Sequence, residues 1–362
     1  MLNNINDLFF EQLRISIGTQ KTFSYFPNDE EWTALFYLSV KQSLSGVMFC
    51  GFEKTLKKDI PKKPSVLFEW IGAQQRIVSQ NALQNIRAKQ LYELFREGGF
   101  RSCVLKGQGT ATYYDKPELR QSGDIDLWVE GDRDEIVKYV QSKGIHVASV
   151  DIKDSVMNFF NDVVVEVHFT PNCMYNPSTD RMLQSFFHQQ ANRQFSSYDV
   201  KMGFAHTTIE FDLVFSLVHI YRHVFSEGIG LRQLVDYYFI LKHSNGEQRA
   251  LAFERICDFG MKSFAGGIMY ILKEKLGMNR TNVLCDVNEE HGEFLLKEIL
   301  IGGNFGHYDT RYSLAENNKK FKRGVTMLKR NLHFVRLYPS EVLWSPMWKF
   351  WHWCWRKQKG YL

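Results

Sequence analysis

The stretch SGDIDLWV, residues 122–129, places two aspartates within a short run of apolar residues. Because side chains alternate between the two faces of a β-strand, Asp124 and Asp126 lie on one face of a strand predicted over 124–129. A charged side chain inside an apolar strand is costly to bury unless it is paired or binds a cation. The stretch therefore predicts a strand with a pair of carboxylates on one face.

A second apolar stretch, VVVEVHF at residues 163–169, contains a third acid, Glu166. It is expected to form the second arm of a β-hairpin with residues 156–160, turning at Asn161-Asp162, and to be an antiparallel strand of the sheet. Three carboxylates that converge at a sheet edge can hold Mg²⁺, which prefers oxygen ligands and is usually shared with phosphates.

A glycine-rich turn precedes the aspartate pair. Residues 102–105 are predicted to form a strand that ends in Lys106-Gly107-Gln108-Gly109, and a brief helix is predicted over 110–114. Backbone N–H groups at such a helix start can bind phosphate oxygens. Paired carboxylates that bridge two ions, with a third carboxylate to take a proton from an attacking hydroxyl, stabilise in-line displacement at phosphorus. The arrangement therefore indicates phosphoryl chemistry.

Helical sequence patterns flank this central segment. An amphipathic run from Ser65 to Glu97 stops at Gly98-Gly99, and the chain is again mostly helical from about residue 178. Asp132 is predicted to cap a helix that Gly144 closes. We expect an α+β protein with four parts: an N-terminal helical region at 1–98, a catalytic core at 99–177, a helical domain that closes the cleft at 178–318, and a basic, tryptophan-rich segment at 319–362.

A polar stripe is predicted on an apolar helix of the C-terminal half. Thr207-x-x-Glu210 predicts a capping box at the start of this helix. The stripe itself consists of Asp212, Ser216, His219 and His223. His219 and His223 have a spacing that can bind zinc, but the Glu of an HExxH motif is absent. The stripe is expected either to face the active cleft or to be structural.

Three further polar residues are candidates for the cleft or for structural roles. His168 shares a strand face with Glu166, so it either lines the site or is a hydrogen-bonded structural histidine. Arg232 and Asp236 are four residues apart on the next predicted helix. They are expected to form an intrahelical or helix–helix ion pair, with binding of the acceptor as the alternative.

The composition is typical of a cytoplasmic protein. The chain is 44% hydrophobic and 15% aromatic, which allows a substantial core. Its six cysteines form no CxxC pair, so neither a zinc knuckle nor a disulfide framework is indicated. The N-terminus lacks a basic start followed by an apolar run, and no stretch approaches the length of a membrane-spanning helix.

The C-terminal segment, residues 319–362, differs from the rest in composition. It contains 11 Lys and Arg residues, a single acid, Glu341, and five of the eight tryptophans. Four of these recur at helical spacing: Trp344, Trp348, Trp351 and Trp355. On a helix predicted to begin near Pro346 the last three form a stripe, which is expected to dock on the body of the protein. Peripheral contact with an anionic membrane surface, or binding of RNA or single-stranded DNA, are the alternatives.

Three stretches together resemble a known family: LKGQGTATYY at 105–114, LRQSGDIDLWV at 119–129 and VVVEVHFTP at 163–171. They are similar to the uncharacterised nucleotidyltransferase family of bacteria, within the DNA polymerase beta-like superfamily. The resemblance covers most of residues 30–245. It implies a polymerase beta-like nucleotidyltransferase core, a small mixed sheet with flanking helices. The implied reaction transfers a nucleoside monophosphate from an NTP to an acceptor hydroxyl and releases pyrophosphate.

The resemblance also implies roles for individual residues. Asp124 and Asp126 match the paired metal ligands, Glu166 matches the third carboxylate, and Gly107 matches the phosphate-binding turn. The superfamily usually has Gly-Ser at that turn, where this chain has Gly107-Gln108. The implied cofactor is Mg²⁺ or Mn²⁺, and the implied donor is an NTP. The predicted nucleotide-binding residues are Lys106, Gly107, Gln108, Arg120 and Gly123.

Two other functions are alternatives to nucleotidyl transfer. An Asp-x-Asp motif also binds Mn²⁺ and a nucleotide sugar in glycosyltransferases, but that fold requires an α/β nucleotide-binding region before the motif, where this chain is predicted to be helical. A non-catalytic partner-binding protein on the same scaffold is disfavoured because all three acids are present. The acceptor stays open among a small molecule, a saccharide, a peptide, a protein and RNA.

Overall fold

The computed structural model describes residues 2–56, 63–312 and 332–361. Its N-terminal part is helical, as predicted, with helices α1 (Leu2–Ile17), α2 (Asp29–Lys41), α3 (Ser45–Leu56) and α4 (Leu67–Glu97). Helix α2 begins at a capping box between Asn28 and Glu31. Helix α4 ends at Gly98, where the sequence predicts its end.

A five-stranded mixed sheet follows these helices. Its strands, in chain order, are β1 (Ser102–Leu105), β2 (Ile125–Val129), β3 (Val147–Val150), β4 (Asp154–Met157) and β5 (Val165–His168). Their spatial order is β1-β2-β5-β4-β3. Strands β2 and β5 pair in parallel, and the other three pairings are antiparallel. A small mixed sheet flanked by helices confirms the predicted α+β class.

The direction of β5 corrects one prediction. This strand is antiparallel to β4, as the predicted hairpin requires, but parallel to β2, which carries the aspartates. After β2, helix α6 (Arg133–Ser142) returns the chain so that β3 runs in the direction of β2, and the two reversals that follow restore that direction in β5. Alternation of side chains defines the faces of a strand, but it carries no information about the strand's direction.

Local signals set the ends of two short helices. Asp132 caps α6 by accepting hydrogen bonds from the backbone N–H groups of Asp134 and Glu135. Helix α5 (Gly107–Ala111) begins earlier than the predicted residue 110. The reason is that Lys106 and Gly107 have positive φ values of 51° and 47°, which turn the chain directly after β1.

The two faces of the sheet have opposite character. Alternate residues Ile125, Leu127 and Val129 of β2, with Val165 and Val167 of β5, belong to a core cluster that includes apolar residues of α4 and α6. The other face carries the acids and, further along β2, a buried tryptophan that packs on phenylalanines of the C-terminal helices. One face of the sheet is therefore a core, and the other leads into the C-terminal helical region.

The C-terminal region contains helices α7 (Pro177–Phe195), α8 (Ile209–Ser226), α9 (Leu231–His243), α10 (Gly246–Asp258), α11 (Lys262–Tyr270) and α12 (Glu289–Gly302), with a two-stranded sheet of β6 (Tyr198–Asp199) and β7 (Phe204–Ala205). The capping box predicted at Thr207 is wrong. Thr208 is the N-cap of α8 and makes no side-chain capping bond, while Glu210 accepts hydrogen bonds from Arg193 and Gln248. Among the described helices, none is sufficiently long and apolar to cross a membrane.

The last helix, α13 (Pro339–Gln358), contains Pro346 within it instead of beginning there. One face docks on the body, in the way the sequence predicts: Trp348 lies 5.3 Å from the ring of Tyr175, and Trp355 lies under the guanidinium of Arg133. Trp351, the remaining member of the predicted stripe, is half exposed. The membrane and nucleic-acid contacts suggested for this segment stay predictions.

Candidate active site

A cavity of about 630 Å³ lies between the acidic face of the sheet and helices α8 and α9. The structure brings twelve of the residues singled out in the sequence to its walls: Lys106, Gly107, Arg120, Gly123, Asp124, Asp126, Glu166, Ser216, His219, His223, Arg232 and Asp236. Two others, Gln108 and His168, are buried behind these walls. Residues up to 130 places apart in the chain, Lys106 and Asp236, thus face one space.

The three carboxylates are positioned by two adjacent strands. Asp126 of β2 and Glu166 of β5 are direct register partners, and Asp124 lies just before β2 on the same side as Asp126. Asp126, Glu166 and His168 each offer one ligand atom, and these atoms lie within 4.8 Å of one another. Since partners in adjacent strands have side chains about 5 Å apart, the pairing itself holds the two carboxylates close together.

Two cations balance the most deeply buried carboxylate. One oxygen of Asp126 lies 2.9 Å from the Lys106 ammonium and 2.8 Å from Nε2 of His168. Burial favours the neutral carboxyl, but Lys106 and the hydrogen bond from His168 prevail and lower the pKa of Asp126 well below its ordinary value. Burial likewise opposes ionisation of His168, yet its hydrogen bond to Asp126 and the Glu166 carboxylate 3.7 Å away raise its pKa to about 9. His168 is therefore a charged donor at neutral pH.

Asp124 experiences the opposite balance. The negative charge of Asp126 raises the pKa of Asp124, and burial and the charge of Glu166 act in the same direction, while Lys106 only partly offsets them. The nearby His168 ring, 3.7 Å away, lowers the pKa of Glu166. Lys106 and His168 therefore do not neutralise all three carboxylates, and the remaining negative charge lies at Asp124, which faces the cavity.

The turn after β1 brings backbone next to these acids. A Cβ placed on Gly107 would lie 4.0 Å from the carbonyl oxygen of Asp124, so the space beside the glycine is open. The positive φ of Gly107 is the reason for glycine at this position, and the positive φ of its neighbour Lys106 is a strained conformation that costs about 1–3 kcal/mol. Such strain, maintained by the surrounding structure, is common at functional sites.

The opposite wall of the cavity comes from α8 and α9. His219 lies 3.5 Å from the Lys106 ammonium, and its pKa is lowered by burial and by that charge. Burial also lowers the pKa of His223. These two histidines and Ser216 line the cavity, whereas Asp212, the fourth residue of the predicted stripe, accepts a hydrogen bond from Tyr113 elsewhere. Burial raises the pKa of Asp212 to about 6.

The ion pair expected on α9 has a different partner. Asp236 accepts two hydrogen bonds from the Arg120 guanidinium, at 2.8 and 2.7 Å, and a third from the hydroxyl of Tyr114 at 2.6 Å. Arg232 instead donates to the backbone carbonyl of Gln121 at 2.7 Å. Both arginine contacts tie α9 to the loop that leads into β2, because the loop passes directly across the first turns of that helix.

The chain matches a protein family described as "Uncharacterised nucleotidyltransferase" over residues 28–277. This match spans more than half of the chain. The protein belongs to this nucleotidyltransferase family. Among curated proteins, none matches the sequence.

The candidate metal site of this nucleotidyltransferase fits a divalent cation. Asp124, Asp126 and Glu166 provide the oxygen donors that hard cations such as Mg²⁺ prefer. The raised pKa of Asp124 shows that the three carboxylates repel one another despite Lys106 and His168, so an added positive charge there is favourable. Nε2 of His168 donates its hydrogen bond to Asp126, so that nitrogen has no lone pair left for a metal, and His168 supports the site as a donor.

Gln108, predicted to bind the nucleotide, points away from the cavity. Its side-chain amide donates to the backbone carbonyl of Asn81 and to the side chain of Asn85, both on α4. The side chain is only 3% exposed. The Gln108 side chain therefore anchors α5 to α4, and a nucleotide contact at position 108 stays a prediction.

We expect Gln108→Ala to lower the free energy of unfolding by about 1–3 kcal/mol, because two buried hydrogen bonds are lost. Nucleotide affinity should stay within twofold of that of the unchanged protein, since the side chain faces α4. Chemical denaturation and calorimetric titration with ATP measure the two quantities. A large loss of nucleotide affinity in Gln108→Ala, at unchanged stability, would show that this side chain binds the nucleotide.

Several residues at the site were missed by the sequence reasoning. Lys153 and Asp154 line the cavity at the start of β4, where Asp154 is the register partner of His168. Phe305 and His307 reach the cavity from the turn after α12. The first two could have been found by placing β4 beside β5, since residues at the same level of neighbouring strands face the same space. The turn after α12 carries no comparable signal.

Proposed function

We propose that the protein transfers a nucleoside monophosphate from an NTP to an acceptor hydroxyl, with Mg²⁺, and releases pyrophosphate. One observation carries the proposal: Asp126 and Glu166 are register partners on adjacent strands, with Asp124 beside them, at the wall of a cavity large enough for a nucleotide. Membership of the nucleotidyltransferase family supports the reaction class.

Each residue of this wall has a role in the proposed reaction. Asp124, Asp126 and Glu166 would hold the divalent ion, which supplies charge neutralisation at the phosphates. His168 orients Asp126 through its hydrogen bond, and its ring, 3.7 Å from Glu166, favours the ionised form of both carboxylates. Glu166, whose side chain is 30% exposed, is the carboxylate best placed to accept the proton of an acceptor hydroxyl, because Asp126 is almost fully buried.

The phosphate groups of the donor belong at the turn after β1 in this proposal. Gly107 lines the cavity, and the positive φ values of Lys106 and Gly107 form a turn there whose backbone N–H groups would contact the phosphates. Lys106 lies between Asp126 and His219 and adds positive charge at the same place. These contacts use backbone and ammonium groups and need no serine at position 108.

The described fold favours this function over the two alternatives. A single strand, β1, precedes the aspartate motif, and four helices precede β1, so the α/β region that a nucleotide-sugar glycosyltransferase needs before its Asp-x-Asp is missing from the described residues. Carboxylates that repel one another destabilise a fold, so a non-catalytic scaffold does not explain why three of them lie together.

The proposal is tested by incubating the protein with mixed NTPs, Mg²⁺ and cell extract. Release of pyrophosphate together with a nucleotide adduct found by mass spectrometry is the expected result, and the mass of the adduct identifies the acceptor. Preferential consumption of a nucleotide sugar would establish the glycosyltransferase instead. Calorimetric binding of ATP that is independent of Mg²⁺, without any turnover, would establish the non-catalytic scaffold.

A further inference from the structure

The cations at the cavity wall are not equivalent. Among the residues that the structure describes, three of the four lysine and arginine side chains there have a carboxylate partner: Lys106 with Asp126 at 2.9 Å, Arg120 with Asp236 at 2.7 Å, and Lys153 with Asp154. The fourth is Arg232. Within the described ranges it forms no ion pair, and its one hydrogen bond is to the backbone carbonyl of Gln121.

Arg232 is in a costly environment for a cation. Its Nε is buried without a hydrogen-bond acceptor in the described structure. Burial and the nearby charge of Arg120 lower the pKa of Arg232, and the charges of Asp236 and Asp124 offset this only in part. A largely buried cation with no carboxylate in direct contact is destabilising, because its lost hydration is only partly replaced.

The position of Arg232 in the helix adds to this cost. It is the second residue of α9, in the first turn, where the helix dipole favours anions and disfavours cations. Both effects are reversed when an anion lies against the guanidinium: the anion pairs with the charge and also interacts favourably with the helix start. The cavity is the side from which such an anion can approach, since Arg232 lines it.

We propose that Arg232 is an anion-binding residue of this cavity that takes a phosphate group of a substrate. The choice of phosphate rests on the proposed function, in which the same cavity holds a triphosphate beside Gly107. The guanidinium presents a planar set of N–H donors that matches phosphate oxygens, and the contact with Gln121 leaves part of that set available. The phosphate comes either from the donor triphosphate or from a phosphorylated acceptor.

The test uses inorganic triphosphate as the probe, titrated calorimetrically in metal-free buffer where no transfer can occur. We expect Arg232→Met to weaken binding at least tenfold and Arg232→Lys, which keeps the charge, to weaken it less. Arg249→Met is the matched control. Arg249 also donates to backbone carbonyls, those of Ser244 and Thr281, but lies outside the cavity, so its loss should leave binding unchanged.

Thermal unfolding separates loss of binding from loss of fold. Because Arg232→Met removes an unpaired charge, its melting temperature in the absence of triphosphate should equal or exceed that of the unchanged protein. Triphosphate should raise the melting temperature of the unchanged protein and of Arg249→Met, but not that of Arg232→Met. Equal binding by the Arg232→Met and unchanged proteins, or no binding by either, would overturn the proposal.

A second arm identifies the source of the phosphate. If a non-hydrolysable ATP analogue abolishes triphosphate binding and itself binds more weakly to Arg232→Met, the donor supplies the group. If the analogue binds both proteins equally and inorganic phosphate still binds through Arg232 in its presence, the acceptor supplies it. A different result would rule out the proposed function. If anions bind through Arg232 but no nucleotide is transferred, the anion-binding site stands and the nucleotidyltransferase function is contradicted.

Discussion

Replacing Asp124 by Asn is expected to abolish nucleotide transfer and, at the same time, to stabilise the fold. Asp124 is the carboxylate whose pKa is raised by Asp126 and by burial, so its ionised form costs free energy in the folded protein at neutral pH. Asparagine removes that cost together with one ligand of the proposed metal site. The contribution of a bound metal is several kcal/mol, so turnover should fall by roughly 10³-fold or more.

Pyrophosphate release and thermal unfolding measure these two effects. Asp134→Asn, on the exposed start of α6, is the control and should change neither. Asp126→Asn should also lose transfer but should unfold more easily, because Lys106 and His168 lose a shared buried partner. Turnover that survives in Asp124→Asn would contradict the proposed mechanism, and a fall in its melting temperature would contradict the carboxylate repulsion.

Asp236→Asn is expected to have the largest effect on stability, a loss of about 3–5 kcal/mol in the free energy of unfolding. The side chains of Arg120 and Asp236 are 5% and 13% exposed, so the substitution leaves a buried guanidinium without its counter-ion. Asparagine keeps an oxygen for the hydroxyl of Tyr114, so the change isolates the ion pair. Transfer should fall as well, because Arg120 fixes the loop that positions Asp124.

The double variant Arg120→Met/Asp236→Asn is the matched control, since it removes both charges of this ion pair and leaves neither member without the other. Its free energy of unfolding, measured by urea denaturation, should recover most of the loss, because neutral replacement of a buried ion pair is often well tolerated. A cost of less than 1 kcal/mol for Asp236→Asn alone would show that the pair is hydrated and that the loop is held by other contacts.

The secondary structure around the site could be predicted because its signals are local. Alternation over 122–129 and 163–169 defines the strand faces, and Asp132 marks the start of α6 by a bond to N–H groups only two and three residues away. The pairing of these local patterns with a glycine-rich turn also indicated the family, which the match over residues 28–277 confirms. Most of the residues predicted for the cleft line the cavity, because they belong to these local patterns.

Contacts between distant residues could not be predicted in this way. The Gln108 side chain bonds to α4, Asp236 takes Arg120 as its partner in place of the arginine one turn away, and β5 lies parallel to β2. Each of these contacts depends on which elements pack side by side, and that is set by the crossover through α6 and by the packing of α9. The spacing of residues along the chain carries no information about this packing.

Local sequence patterns are thus enough to predict that three acids lie on strand faces and that a turn suited to phosphate lies near them. The pKa shift of each acid depends on the folded structure. Only when β5 lies beside β2 does His168 reach Asp126, which keeps one carboxylate ionised and leaves Asp124 repelled. The physical reason is that strand alternation acts between neighbouring residues, whereas burial and Coulomb interactions depend on distances that exist only after the helices close over the sheet.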